Sequence, residues 1–197
     1  TCRPIQTCAK PLHKARSLDD EDPQWPAALG QLHLLEAQRS RGAKVAEKEA
    51  AAKALEQFEI ARTLSSDRQR QALLGQLALS AFSAKDFAKA KAYAETMVKL
   101  SSDTSNRAQD VHDGHIILGR MALTAGDVDD AKSHLLDAGR VPGSPTLNSF
   151  GPDMTLAKGL LEKGETDTVV EYLALCSKFW AMGTDRLKTW TAAIRHG

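Results

Sequence analysis

Three histidines form the group of side chains in this sequence that comes closest to a metal or catalytic site. His112 and His115 lie three residues apart, and His134 follows later in the chain. Asp110 and Asp113 lie beside the first two. Imidazole and carboxylate groups bind zinc and also exchange protons near neutral pH. One hypothesis is therefore a metal-assisted or hydrolytic enzyme that uses His112, His115 and His134.

The helical register argues against such a site. His115 precedes Leu118 by three residues and Ala122 by seven, so the three side chains share one face of a helix. Because that face is apolar, the register favours a packed and hydrogen-bonded His115 over a metal ligand. The sequence also lacks a nucleophile elbow, a carboxylate pair and a phosphate-binding glycine loop. We therefore expect no catalytic residue, no bound metal and no cofactor.

The composition excludes further classes of protein. A formal charge of +1 arises from 26 basic and 25 acidic residues, so no overall field attracts nucleic acid. No apolar run approaches the roughly 18 residues that span a bilayer, and we expect no transmembrane segment. The chain of 197 residues is 42% hydrophobic, which is enough for a continuous buried core.

The cysteines bear on the compartment. Cys2 and Cys8 lie in a proline-containing segment, where a disulfide bond between them and two free thiols are both open alternatives. The sequence starts with Thr1, and together with these cysteines this favours an exported, periplasmic protein over a cytoplasmic one. Cys176 falls on an apolar helical stripe, which predicts a buried thiol with a packing role.

The pattern of apolar residues predicts an all-α protein. From about Trp25 onward, Ala, Leu, Lys and Glu dominate, apolar residues recur every three or four positions, and strand-type alternation is absent. Before that point lie Pro4, Pro11 and an acidic cluster, which predict an extended or disordered tail over residues 1–24. The first helix is expected to start close to Pro23.

Three segments of the chain share one register. Leu77, Leu118 and Leu156 are separated by 41 and 38 residues, and the same spacings relate Lys85, Gly126 and Gly164. These spacings predict three helix pairs, each with a tight turn at the second set of positions. Small or apolar residues at matching depths mark the seam between the helices; they are Ala90, Ala131 and Val169, then Ala94, Leu135 and Leu173, then Met97, Ala138 and Cys176. An earlier pair is predicted around Gly42, with a long second helix near residues 44–64.

The helix pair that begins with Leu118, the third when the earlier pair around Gly42 is counted, resembles a tetratricopeptide repeat. The resemblance is carried by Leu118-Gly119, Ala122, Gly126, Ala131, Leu135 and Ala138, and it covers roughly residues 28–180. It implies an α-solenoid of about four antiparallel helix pairs over residues 25–183, with a capping helix over 184–197. The segment 144–152 also resembles a block found in bacterial repeat proteins of unassigned function.

The family's architecture implies a concave groove that binds a protein or peptide. The first helix of each pair would line it with the residues opposite its packing stripe, which are Leu79, Phe82, Asp113, Ile116, Arg120, Met154 and Lys158. A groove that is apolar at one end and charged at the other suits a short helix or extended peptide with an acidic group. In the alternative interpretation, the first helix pair simply covers Leu79 and Phe82.

The connection from Gly139 to Gly151 is longer than the usual 2 to 8 residues between helices. One interpretation is a stiff crossing in which Phe150 plugs the core. The other is a ligand loop that uses Asn148 and Ser149. The leading hypothesis for the whole chain is a non-enzymatic binding scaffold, and the alternatives are the histidine enzyme and a helical scaffold that associates with itself.

Overall fold

The computed structural model describes residues 5–40, 42–100 and 107–196, and among these the side chains of residues 5–9 and of residue 16 are left aside. The described residues form twelve α-helices and no strand, so the prediction of an all-α protein is confirmed for them. Contacts group the helices into two compact units. One unit ends at Tyr93 and the other begins at Ala94.

The first unit is built around a long helical hairpin. Its helices are α1 (Ile5–Arg16), α2 (Gln24–Arg39), α3 (Lys44–Leu64), α4 (Asp67–Ala72), α5 (Leu74–Ser83) and the first part of α6 (Phe87–Leu100). Helix α2 packs along α3, and α3 in turn packs against α5. The predicted long helix near residues 44–64 is confirmed by α3. Its alanines Ala51, Ala54 and Ala61 are fully buried, which lets the neighbouring helices approach closely.

The expectation of an extended tail over residues 1–24 is wrong for residues 5–16, which form α1. Pro11 lies inside this helix and removes one backbone hydrogen bond. Helix α1 contacts α2, and packing of this kind outweighs a weak local helix preference. The proposed Cys2–Cys8 disulfide lies outside the described side chains.

The second unit contains the two helix pairs that the repeat analysis placed last. Its helices after α6 are α7 (Ala108–Ala125), α8 (Val128–Gly139), α9 (Pro145–Phe150), α10 (Thr155–Leu161), α11 (Thr166–Cys176) and α12 (Thr184–His196). Helix α7 pairs with α8, α10 contacts both of these, and α11 contacts α8. Helix α12 lies against α11. The thiol of Cys176 is buried, as predicted, and burial raises its pKa to about 12.

The three predicted turns have one common backbone geometry. Lys85, Gly126 and Gly164 adopt left-handed φ angles of 66°, 88° and 83°. In each case the next residue donates its backbone N–H to the carbonyl five residues earlier, at 2.9, 2.9 and 3.0 Å. This is the Schellman helix end, which favours glycine because the left-handed region is costly for other residues. Lys85 is tolerated there, and its ammonium lies 5.5 Å from the centroid of the Phe82 ring.

Gly164→Ala is expected to lower the free energy of unfolding by about 1 kcal/mol, because alanine pays the cost of a left-handed backbone. An added Cβ would meet no atom within 4 Å, so the loss would come from the backbone alone. Urea denaturation followed by circular dichroism measures the change. Lys163→Ala at the exposed neighbouring position is the matched control and should change stability by less than about 0.5 kcal/mol. Equal stabilities for the two variants would contradict the assigned turn.

The crossing between α8 and α10 differs in part from the stiff crossing that was expected, while the ligand loop with Asn148 and Ser149 stays a prediction. It contains the short helix α9, whose start is capped by Ser144, since the hydroxyl oxygen accepts a hydrogen bond from the backbone N–H of Leu147. The prediction that Phe150 plugs the core is wrong, because its side chain is 83% exposed. Leu147 is fully buried and fills that place. Because the segment forms a short helix, the buried apolar contact is made by Leu147 in its middle and not by Phe150 at its end.

Candidate functional site

An apolar cleft lies between α10, α11 and α12 in the second unit. Its volume is about 250 Å³. Helix α10 contributes Met154 at its start, Ala157, Lys158 and Leu161; α11 contributes Val169 and Leu173; α12 contributes Trp190, Ala193 and Ile194. Eight of these nine residues are apolar. We call this site the α10–α12 cleft.

The wall formed by α12 depends on two tryptophans. Trp190 is 37% exposed, and its ring centroid lies 6.1 Å from that of the buried Trp180. Gly151 and Gly183 each approach the Trp180 ring so closely that an added Cβ would overlap it. These two glycines therefore let Trp180 sit deep beside α12, where it supports Trp190 at the rim of the cleft.

The charged part of the rim is Lys158. Its side chain is exposed, and no ion pair to it is found within the described ranges. An unpaired ammonium next to an apolar cleft favours a ligand that carries a carboxylate beside an apolar group.

Backbone atoms of Asp153 fix the position at which α10 begins. The N–H of Asp153 donates to Nε2 of His112 at 3.0 Å, and its carbonyl accepts from the hydroxyl of Tyr172 at 3.1 Å. Its carboxylate accepts from the N–H of Thr155 at 2.7 Å. Because Met154 lies between these anchored residues, the mouth of the cleft is held by contacts from α7 and α11.

His112 serves this structural purpose with both ring nitrogens. It is fully buried, and Nε2 must be unprotonated to accept from Asp153. Nδ1 therefore carries the proton and donates to the carbonyl of Ala138 at 3.0 Å. Burial lowers the pKa of the imidazole, which keeps it neutral. A site made of all three histidines is thus not formed, since His112 has no free nitrogen.

His115 and His134 do meet. Their Nδ1 atoms are 3.0 Å apart across the α7–α8 hairpin, and both rings are partly buried. The interpretation of His115 as hydrogen-bonded is confirmed, although the fully buried histidine is His112. Asp137 lies close enough that one ligand atom from each of His115, His134 and Asp137 falls within 4.8 Å of the others.

The predicted groove residues have different surroundings. Phe82 and Ile116 are 6% and 1% exposed, so the expectation that they face a partner is wrong for both. Leu79 is partly buried in the first unit, and Arg120 is partly buried on α7. Ile116 is covered because α7 packs against α8 on one side and α10 on another.

The other residues predicted to bind a partner also have different surroundings from one another. Met154 and Lys158 line the α10–α12 cleft. Asp113 is partly buried, and both of its carboxylate oxygens accept from Nε2 of Gln109 at 2.8 Å. Asn148 and Ser149 are exposed on α9. With its amide oriented to donate, Asn148 bonds to the carbonyls of Phe179 and Ser144 at 2.9 and 3.1 Å, which ties it to the crossing.

Sequence reasoning did not assign to a site the residues that α12 contributes to the cleft, nor Asp137 of α8, which lies beside the two histidines. Trp190, Ala193 and Ile194 form one wall of the cleft, and the i, i+3, i+4 spacing of an amphipathic helix was the available signal. Asp137 follows His134 by three residues, which places both on one face of α8. No signal in the sequence shows that α7 presents His115 to that face.

No protein-family model, curated protein or solved structure matches the chain. Among the described helices, none is long and apolar enough to cross a membrane.

Proposed function

We propose that this chain is a non-enzymatic module that binds a protein or peptide in the α10–α12 cleft. The observation that carries the proposal is an open apolar cleft with one exposed cation, Lys158, at its rim. The volume of about 250 Å³ is below the roughly 300–1,000 Å³ typical of pockets for small molecules. It suits one large apolar anchor side chain of a peptide, with an acidic residue nearby to meet Lys158.

The proposal includes a stack of helix pairs similar to tetratricopeptide repeats. Its support is the recurrence of one turn geometry at Lys85, Gly126 and Gly164 and, within the second unit, the contacts of α10 and α11 with the preceding hairpin. In such a stack the cleft lies between the last pair and α12, the element expected to cap the array. A cap that leaves a cleft open gives the last pair a place to hold a ligand.

The test is selection of peptides from a random display library on the purified protein, followed by fluorescence anisotropy. Selected peptides should share a bulky apolar residue next to Asp or Glu. Ala193→Trp would fill the cleft from an exposed helical position without removing a packing contact, and it should weaken binding at least about tenfold. Lys158→Glu should also weaken it about tenfold and reverse the salt dependence.

Lys163→Glu is the matched control, since it makes the same charge change at an exposed position outside the cleft. Peptides that bind the wild-type chain should bind this variant equally well. If selection yields no peptide, or if every selected peptide binds Ala193→Trp and Lys158→Glu as tightly as wild type, the cleft is not the binding site.

A further inference from the structure

His115, His134 and Asp137 form a second group of side chains, one that the cleft does not use. His115 lies on α7, while His134 and Asp137 lie one turn apart on α8. All three are partly buried, so their ligand atoms are held by packing but remain within reach of solvent. We propose that these three residues form a binding site for a divalent transition-metal ion of the zinc class.

The two imidazoles are spaced almost as two nitrogen ligands of one zinc ion would be. Two neutral rings with facing Nδ1 atoms share one proton, which one Nδ1 donates to the lone pair of the other, and an ion that binds both nitrogens would displace this proton. Tetrahedral zinc with bonds of about 2.0–2.1 Å separates two nitrogen ligands by about 3.3 Å. The observed separation of the Nδ1 atoms is 3.0 Å, so a small rotation of either ring would place both nitrogens on one ion.

A carboxylate lies near the other ring nitrogen of His134. Nε2 of His134, on the side of the ring away from His115, lies 3.8 Å from a carboxylate oxygen of Asp130. Metal-bound histidines commonly direct their other ring nitrogen to a carboxylate, which fixes the tautomer that binds the ion. The separation of 3.8 Å is longer than a hydrogen bond, but a small shift of either side chain would let Asp130 accept from Nε2–H and leave the Nδ1 lone pair of His134 directed at the ion.

The backbone beneath the site is built for close approach. Gly119 follows His115 by one turn of α7, and a Cβ added there would overlap Leu156 of α10 and lie 3.0 Å from Cβ of His134. Glycine therefore makes room for Leu156 and also lets α8 approach α7 beside the two imidazoles. This contact is part of the hairpin itself, so the ligands would be in place before an ion arrives.

The third ligand is the carboxylate of Asp137. One of its oxygens accepts from Arg140 at 2.7 Å, which leaves the second oxygen for the ion. Two imidazoles and one carboxylate are a ligand set that zinc, nickel and copper accept, with the remaining positions filled by water. The site is separate from the peptide proposal, and neither depends on the other.

Zinc binding is measured on the full chain after removal of metal with EDTA and dialysis into chelator-free buffer. Isothermal titration with zinc chloride should show one equivalent bound, and cobalt substitution should give the visible bands of a four-coordinate or five-coordinate ion. His115→Ala and His134→Ala should each weaken zinc binding at least about 100-fold, and Asp130→Asn about tenfold. Asp137→Asn, which keeps the shape of the side chain, should weaken it at least about tenfold.

His13→Ala is the control because His13 is exposed on α1, and its affinity should equal that of wild type. The site does not exist if the wild-type chain fails to bind one equivalent of zinc. The ligand assignment is overturned if Asp137→Asn and either histidine variant bind as tightly as wild type. Circular dichroism in EDTA confirms that each variant keeps its helices, and Asp137→Asn provides the test if an alanine variant does not fold.

Discussion

His112→Ala is expected to lower the free energy of unfolding by about 3–5 kcal/mol. The substitution leaves a cavity and removes the partners of two backbone groups, the carbonyl of Ala138 and the N–H of Asp153. Each unsatisfied group costs about 1–3 kcal/mol, and truncation of a large buried side chain adds a cavity cost. A loss of this size is a large fraction of the stability of a typical domain, about 5–15 kcal/mol.

Urea denaturation in the presence of EDTA measures this loss. His112→Phe keeps the ring but neither hydrogen bond, and it should lose about 2–3 kcal/mol, which separates the polar part from the cavity. His115→Ala, at a partly buried position, is the second comparison and should lose about 1 kcal/mol. A His112→Ala protein as stable as wild type would show that His112 does not anchor α10.

The pH dependence of His112 has a definite sign. Burial lowers the pKa of its imidazole below the ordinary 6.5, so the unfolded chain binds this proton more tightly than the folded one. The contribution of His112 to stability is therefore complete above about pH 6.5 and is lost as the pH falls toward the folded-state pKa. His112→Phe should lack this component of acid destabilisation.

Asp113→Asn is expected to change the free energy of unfolding differently at two pH values. Its effect at about pH 8 should be more stabilising than its effect at about pH 4, by about 1–3 kcal/mol. Burial raises the pKa of the Asp113 carboxyl from 3.8 to about 6, against the opposing effect of the Gln109 amide. The folded state therefore holds the proton more tightly than the unfolded state between these values. Wild-type stability should fall as the pH rises through this window, whereas asparagine has no charge to bury.

Gln109→Leu provides a comparison of opposite sign. The Gln109 amide donates to both oxygens of Asp113 and favours the charged carboxylate. Its removal should destabilise the protein more at about pH 8 than at about pH 4. Thermal unfolding in EDTA across this pH range measures both variants. Parallel pH profiles for wild type and Asp113→Asn would contradict the assigned burial of the carboxylate.

The helices and turns of this protein can be predicted from short-range patterns in its sequence. A left-handed turn needs glycine or a tolerated substitute, so Gly126 and Gly164 mark helix ends. The equivalent seam positions Ala90 and Ala131 are fully buried, and their small side chains let helix axes approach closely. Helix α3, predicted near residues 44–64, spans Lys44–Leu64.

The candidate sites depend on how the helices pack against one another. The apolar stripe along a single helix does not predict which other helices will cover it. The stripe through Leu118 placed Ile116 on the open side of α7, yet α7 packs against both α8 and α10 and has buried residues on more than one face. Ile116 is therefore core, and His112 is the buried histidine. Met154 and Lys158, which the same stripe argument named, line the α10–α12 cleft, and α12 supplies its other wall.

The turn at Lys85 shows how little of each hairpin depends on a particular side chain. Its hydrogen bonds run between backbone atoms, as do those at Gly126 and Gly164. A lysine with a φ of 66° completes the same turn that glycine forms elsewhere. Outside the seam, such a chain can therefore accumulate substitutions by drift while its hairpins stay intact.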